Sequence, residues 1–254
     1  MSSFKKNPKH INKDKELIKT DLLRNYRIDQ KFHLNDHHKA FVDKVLDDST
    51  NIVFADGPAG SSKTYLSVFV ALTLLKEKRV DEVLYVRSIV ESANRKLGSL
   101  PGEVDDKFKP WCIPLMEKCD ELVGKQVTNV LFENEYIRSI PVNFLRGSTF
   151  TNCVVIADEA QNFDKSELIT ILTRVGKNCK LFFIGDSRQS DIHKKDFECM
   201  MTGFDTPESK KNGIECFHFT EEDITRSKLL RYIVGVLKTI NFPKTSHQKD
   251  FPNH

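Results

Sequence analysis

The chain has 254 residues, 39% hydrophobic and 30% charged, the composition of an ordinary globular protein, and its length suits one core domain with appendages or at most two small domains. No apolar run approaches the roughly eighteen residues of a membrane span, and Met1 to Lys15 lacks the apolar core of a signal peptide; this excludes a membrane-embedded class, so no membrane partner is expected and the location points to the cytoplasm. The six cysteines contain no C-x-x-C pair and no Cys/His block with zinc-ligand spacing, so they read as free thiols, with Cys153 and Cys179 beside apolar runs.

The net charge of +3 is unevenly spread: residues 1–33 hold nine Lys/Arg against four Asp/Glu, and the remainder holds thirty against thirty-two. Such a basic leader is either a nucleic-acid contact arm or a solvated tail. Inside it Leu17, Ile18, Leu22 and Leu23 fall at helical spacing, which predicts a short amphipathic helix over 15–26. Phe41, Val42, Val45 and Leu46 predict a second helix over 34–47, capped by Asn35 or Asp36, that covers one edge of the site beginning after it. Whether Asn35, Asp36, His37 or His38 touches a base stays open.

An apolar run, Asn51 to Ala55, then enters Gly57-Pro58-Ala59-Gly60-Ser61-Ser62-Lys63-Thr64, and a helical run follows from Tyr65 to Lys76. Strand, tight loop and helix in that order match the P-loop pattern G-x-x-x-x-G-K-[ST] at every fixed position except Ser62, which stands where a glycine is usual. Loop N–H groups and the positive end of the helix surround the β-phosphate. Lys63 reaches the β- and γ-phosphates, and the Thr64 hydroxyl binds Mg²⁺.

Glu82 to Val86 predicts a second strand, whose end feeds a long basic loop holding Arg87, Arg95 and Lys96; ligands usually sit at such strand ends. Trp111 to Gly124 predicts a helix with one apolar face. Ile140 to Leu145 and Cys153 to Ala157 predict strands joined through Arg146. The second runs into Asp158-Glu159, a Walker B pattern in which Asp158 holds Mg²⁺ and Glu159 polarises the attacking water. After a helix over 164–175, the strand Lys180 to Ile184 ends in Gly185-Asp186-Ser187-Arg188-Gln189, where RecA-like ATPases place a γ-phosphate sensor; Gln189 is the candidate. A short strand over 214–219 and a helix starting near Thr220 follow. Thr220 has capping-box spacing to Asp223, and Ile224, Leu229, Leu230, Ile233, Val234 and Leu237 form the helix's apolar face with Arg226 off it. Residues after Phe242 read as a frayed tail.

Gly57-Pro58-Ala59-Gly60 with Lys63-Thr64, Leu97-Gly98-Ser99-Leu100-Pro101-Gly102, Phe144-Leu145-Arg146-Gly147-Ser148-Thr149-Phe150, Asp158-Glu159-Ala160-Gln161-Asn162, Thr173-Arg174-Val175-Gly176 and Gly185-Asp186-Ser187-Arg188-Gln189, in this order, closely resemble the PhoH family. The resemblance covers about residues 35–240. It implies an α/β fold, a RecA-like P-loop NTPase with a parallel sheet flanked by helices, in a family associated with phosphate starvation and found in bacteria and their phages. The location would be a phage host's cytoplasm if the chain is phage-encoded. Ser62 for glycine and Ser88 for the proline that normally follows Arg87 are the two departures.

The expected layout is a basic, helical N-terminal extension over 1–33, an ATPase domain over 34–242 and a tail over 243–254. The expected function is Mg²⁺-dependent ATP hydrolysis, coupled to binding of, or movement on, RNA or single-stranded DNA in the manner of a helicase. Arg87, Arg95, Lys96 and Arg146 are candidate contacts to nucleic acid or phosphate. A nucleotide-regulated binding module with little turnover and a small-molecule kinase are the alternatives. Because superfamily 1 helicases take an arginine from a second RecA-like domain, a homo-oligomer is expected, a closed hexameric ring with Arg226, or second Arg174, entering the neighbour's pocket. A role for Arg226 in its own pocket is the competing reading.

Overall fold

The computed structural model describes residues 23, 25–30, 33–88, 104–145, 147, 149–189 and 195–240. Helix α1 (Asp36–Leu46) precedes β1 (Ile52–Asp56), α2 (Lys63–Lys76), β2 (Glu82–Arg87), α3 (Val104–Val123), α4 (Lys125–Glu133) and β3 (Ile137–Pro141). The chain continues through β4 (Cys153–Asp158), α5 (Lys165–Leu172), β5 (Cys179–Gly185), α6 (Asp196–Phe204), α7 (Pro207–Lys211), β6 (Ile214–His218) and α8 (Lys228–Thr239). The six strands form one sheet in the order β3-β2-β4-β5-β1-β6, and every adjacent pair is parallel.

A parallel sheet covered on both faces favours strands that are apolar on both sides, which is why β1 and β4 read as apolar runs up to their closing aspartates and β5 does so from Leu181 to Ile184. Alternate residues serve opposite faces. Val53, Ala55, Tyr85, Val154, Ile156, Phe182 and Ile184 pack with α1 to α4. Phe54, Leu84, Val86, Val155, Ala157, Leu181 and Phe183 pack on the other face with Phe163, Leu168, Ile171, Phe197 and Met201. The strands' carboxyl ends therefore share one edge, and β5 lies between the P-loop strand β1 and the Asp-Glu strand β4.

Several elements differ from their expected bounds. The strand expected over 140–145 is β3, three residues earlier. Pro141 lacks an N–H and closes the ladder opposite Arg87, and Val142 to Phe144 then turn as a 3₁₀ helix that buries Val142. Helix α3 begins upstream of Trp111, and a separate helix, α4, follows it. The helix expected from Thr220 is in fact two elements. Thr220 and Asp223 do form a capping box, but it closes only a 3₁₀ turn over Glu221–Asp223. Ile224 is extended, and α8 starts after its own N-cap, Ser227.

The apolar face of α8 does not join the core as one stripe. Ile224 and Val234 are buried, while Leu229, Tyr232, Ile233 and Leu237 are exposed. Residues 1–22, 24, 31, 32, 89–103, 146, 148, 190–194 and 241–254 lie outside the described residues, and with them most of the helix expected over 15–26, Arg95, Lys96, Arg146 and the tail. Inside the stretch read as an extension, Tyr26 is buried and donates its hydroxyl to the Leu72 carbonyl at 3.3 Å, and the Asp29 N–H donates to Leu122 O at 2.7 Å. No helix of the described residues is long and apolar enough to cross a membrane.

Candidate nucleotide site

At the carboxyl edge of the sheet lies a cavity of about 590 Å³. The P-loop, Asp158, Glu159, Asp186, Gln189, Thr225 and Arg226 all line it, facing Glu117, Lys118 and Glu121 of α3. The loop's shape depends on backbone conformations that follow from small residues. Gly57 has φ +156°, and a Cβ there would lie 2.6 Å from the Phe219 Cβ; Gly60 has φ +83°, and a Cβ would meet Leu230 at 2.5 Å. Ser62 occupies the left-handed region, φ 64° and ψ 15°, at the very position where the motif prefers glycine. Its hydroxyl is bonded to Thr225 Oγ1 at 2.7 Å, and no side chain caps the N-terminus of α2. An uncapped helix start beside a lysine is a site for anionic oxygens.

Lys63 is buried and donates to Gly57 O at 2.7 Å, Pro58 O at 2.9 Å and Ser61 Oγ at 3.3 Å. Burial pulls its ammonium below the ordinary lysine value, while the carboxylates of Asp186, Asp56, Asp158 and Glu159 oppose that shift. A phosphate would add the same compensation at closer range. On the far side of the loop, the His38 ring nitrogen Nε2 lies 3.2 Å from Ser61 O, so α1 does brace this edge. Asn35 is the N-cap of α1, as expected; its amide and the His37 ring both go to Asp223 rather than to a base.

Thr64 Oγ1 donates to Asp158 Oδ1 at 3.0 Å, and Tyr85 OH donates to Asp158 Oδ2 at 2.5 Å. The pair Thr64 and Asp158 thus fits Mg²⁺, a hard cation that takes oxygen donors, usually one or two carboxylates completed by water and phosphate. Among the described residues no group of three or more His, Cys, Asp or Glu is arranged as a metal site. Glu159 has φ 55°, left-handed again, and its carboxylate is held by Gln161 Nε2 at 2.7 Å and by Arg87 at 3.6 Å. Gln189 donates to Asp186 Oδ2 at 3.0 Å, and Asp56 accepts from the Ser187 N–H at 2.7 Å.

Lys63, Thr64, Asp158, Glu159, Gln189 and Arg226 are therefore brought together, while Arg87 touches Glu159 from outside the lining. Arg226 does not sit on α8 but in the link before it, one residue ahead of the N-cap Ser227. Arg174 donates through Nε to the Leu145 carbonyl, and its own carbonyl accepts the Phe150 N–H at 2.8 Å. It fastens a loop, which is a poor starting point for a finger reaching a neighbour. Local spacing gives Tyr85 and Thr225 no place in the site, and it gives Gln161 and Asp186, which stand inside the quoted motifs, and the helix from Trp111 no role there. Tyr85 alone carried a signal, since a tyrosine inside the apolar run Val83 to Val86 needs a partner for its hydroxyl.

The sequence model of the PhoH family, described as PhoH-like protein, matches residues 33–238. The chain belongs to the PhoH family. It is 33% identical over 190 residues to a PhoH-like protein of Bacillus subtilis (strain 168), covering 72% of this chain and 57% of that one. Protein PhoH of Escherichia coli (strain K12) is 32% identical over 185 residues, covering 72% and 51%. A PhoH-like protein of Mycobacterium tuberculosis (strain ATCC 25618 / H37Rv) is 31% identical over 198 residues, covering 78% and 55%. The chain thus spans little more than half the length of these PhoH relatives. Among solved structures, the Hef helicase domain of Pyrococcus furiosus is similar at a TM-score of 0.42 and 12% identity, over 77% of this chain and 39% of that one. The family and the sheet together make this a P-loop NTPase of RecA-like fold.

Proposed function

We propose that the protein hydrolyses ATP with Mg²⁺ in its RecA-like domain, and that hydrolysis is coupled to binding RNA or single-stranded DNA. The observation that carries this reading is the shared cavity: an uncapped helix start, a buried lysine, a threonine–aspartate pair and a glutamate face one space of nucleotide size. In this reading Lys63 leaves the loop carbonyls for the β- and γ-phosphates, and the Ser62 to Thr64 amides hold the β-phosphate. Thr64 and Asp158 hold Mg²⁺, which when bound neutralises charge on the β- and γ-oxygens. Glu159 takes a proton from the water whose oxygen attacks the γ-phosphorus; the bridging bond to the β-phosphate breaks and ADP leaves. Gln189 detects the γ-phosphate from the end of β5.

Arg226 lines its own chain's cavity, which supports the role in cis over the finger in trans. The expected hexameric ring keeps support from one feature, the exposed apolar face of α8, which contact between copies would cover. Nucleic acid would meet Arg87, Arg95, Lys96, Arg146 and the basic leader, in the cytoplasm.

Phosphate release measured with and without RNA tests the proposal. Lys63→Ala is expected to weaken nucleotide binding, and Glu159→Gln to preserve binding while stopping turnover, because an amide accepts no proton from water. Equal turnover in wild type and Glu159→Gln would remove Glu159 from the chemistry. Turnover absent from the wild type under every condition would leave the nucleotide-regulated binding module.

A further inference from the structure

Both carboxylate oxygens of Glu159 are engaged, and the two holders differ in kind. Gln161 donates Nε2 to Oε2 at 2.7 Å. Its amide cannot turn away, because Oε1 accepts the Asp186 N–H at 3.0 Å and fits against Gly185, where a Cβ would lie 2.8 Å from that oxygen. Arg87 Nη2 approaches Oε1 at 3.6 Å, longer than a direct hydrogen bond, with side-chain exposures of 23% for Arg87 and 46% for Glu159. One holder is locked into the sheet edge; the other is a half-exposed ion pair that solvent or another anion can replace.

The strand order says from which side a replacement would come. Nucleotide groups sit over β1, β5 and β4, whereas Arg87 ends β2, on the opposite side of β4. Among the described residues lining the cavity Glu159 is present and Arg87 is not. A ligand can therefore take hold of Arg87 without entering the nucleotide site. The ligand that suits it is a phosphodiester, whose paired oxygens match the guanidinium fork as well as a carboxylate does. Next to it, Ser88 Oγ donates to Glu167 at 3.0 Å, which pins the backbone and leaves the Arg87 side chain as the movable part.

We infer that Arg87 is a detachable restraint on Glu159, and that a nucleic-acid strand taking the Arg87 guanidinium frees Oε1 to accept the proton of the attacking water. The inference rests on the hydrolytic reading above and names how its site is regulated. While paired, Oε1 is turned to the guanidinium. Once released, the side chain stays tethered through Gln161 and swings about that bond from a backbone already strained at φ 55°.

The experiment is steady-state phosphate release by the full chain, with and without poly(U), for wild type, Arg87→Ala, Arg87→Gln and Arg87→Lys, with binding of a fluorescent ADP measured alongside. Loss of a half-exposed pair should raise the rate without poly(U) by roughly two- to fivefold in Arg87→Ala and Arg87→Gln. Both variants should show little further gain with poly(U), unchanged ADP affinity, and a low basal rate restored in Arg87→Lys. Should Arg87→Ala fail to fold, Arg87→Gln keeps most of the aliphatic stem and carries the same expectation. An unchanged stimulation ratio, or a basal rate that falls, in Arg87→Gln overturns the restraint and leaves the ATPase reading standing. A wild type that hydrolyses ATP equally with and without poly(U) also overturns it, and a wild type without turnover overturns the proposed function itself.

Discussion

The hydroxyl of Tyr85, a residue wholly buried on β2, donates to Oδ2 of Asp158 on the neighbouring strand at 2.5 Å. Since Thr64 holds the other oxygen, the buried carboxylate meets two hydroxyl donors. Burial, with Asp158 beside it, pushes the Tyr85 phenol far above its ordinary value, so the tyrosine remains a donor at any working pH. Tyr85→Phe should cost about 2 kcal/mol of stability, because a buried charged acceptor loses a partner. Urea unfolding with and without Mg²⁺-ATP checks this: the bound cation should return part of the loss, and an equal loss in both conditions would separate Tyr85 from the metal pair.

A second expectation concerns Ser62 and Thr225. The left-handed serine is strained by about 1 kcal/mol relative to glycine, and its hydroxyl bond to Thr225 offsets part of that. In a Thr225→Val background that bond is already gone, so Ser62→Gly should stabilise by about 1 kcal/mol there and by less in the wild type. Thermal or urea unfolding of the four proteins closes the cycle. Identical gains in both backgrounds would mean that the two hydroxyls do not cooperate.

Acid stability should report on Asp223. Burial alone would raise its carboxyl, but the Thr220 N–H, the Asn35 amide and the His37 ring outweigh this and hold it below the ordinary value of 3.8. A depressed folded value means that the native state binds fewer protons than the unfolded chain between the two values, so stability falls as pH falls. The advantage of wild type over Asp223→Asn should be complete above pH 3.8 and shrink progressively below it, as read from urea midpoints between pH 6 and 2.5. A difference independent of pH would show that the carboxylate's charge is irrelevant to its three contacts.

The exposed face of α8 sets the fourth expectation. Leu229 is 67% and Tyr232 70% exposed, so charging both should leave the fold's melting temperature nearly unchanged. If copies of the chain meet there, Leu229→Glu with Tyr232→Glu should turn an oligomer into a monomer by light scattering. An unchanged mass would assign the face to something other than self-association.

The contrast between α8 and the P-loop shows what the sequence could and could not reveal. Gly57 to Thr64 and Asp158-Glu159 are recognisable because their chemistry is written in adjacent residues on one backbone turn. The strands β1, β4 and β5 are recognisable because burial on both faces keeps Ile52 to Ala55, Cys153 to Ala157 and Leu181 to Ile184 apolar. An amphipathic pattern such as Leu229 to Leu237 records only that a face is apolar, and it is the same whether the chain's own core or another molecule covers it. Tyr85 meets Asp158 through strand register, and Thr225 meets Ser62 across 163 positions, neither of which local spacing encodes. Val142 and Leu145 look like strand residues but are buried around a turn that Pro141 starts.

The phosphate loop is clasped from both ends of the domain: α1 supplies His38 against Ser61, and the stretch before α8 supplies Thr225 against Gly60 and Ser62. During synthesis, at about 5 to 20 residues per second, the motif leaves the ribosome long before its clasp does. A nascent chain stopped short of residue 225 would display the whole P-loop motif and still lack one wall of the pocket. Ligand affinity in arrested chains of increasing length should therefore rise abruptly only once the stretch around residue 225 has emerged, and not with the motif itself.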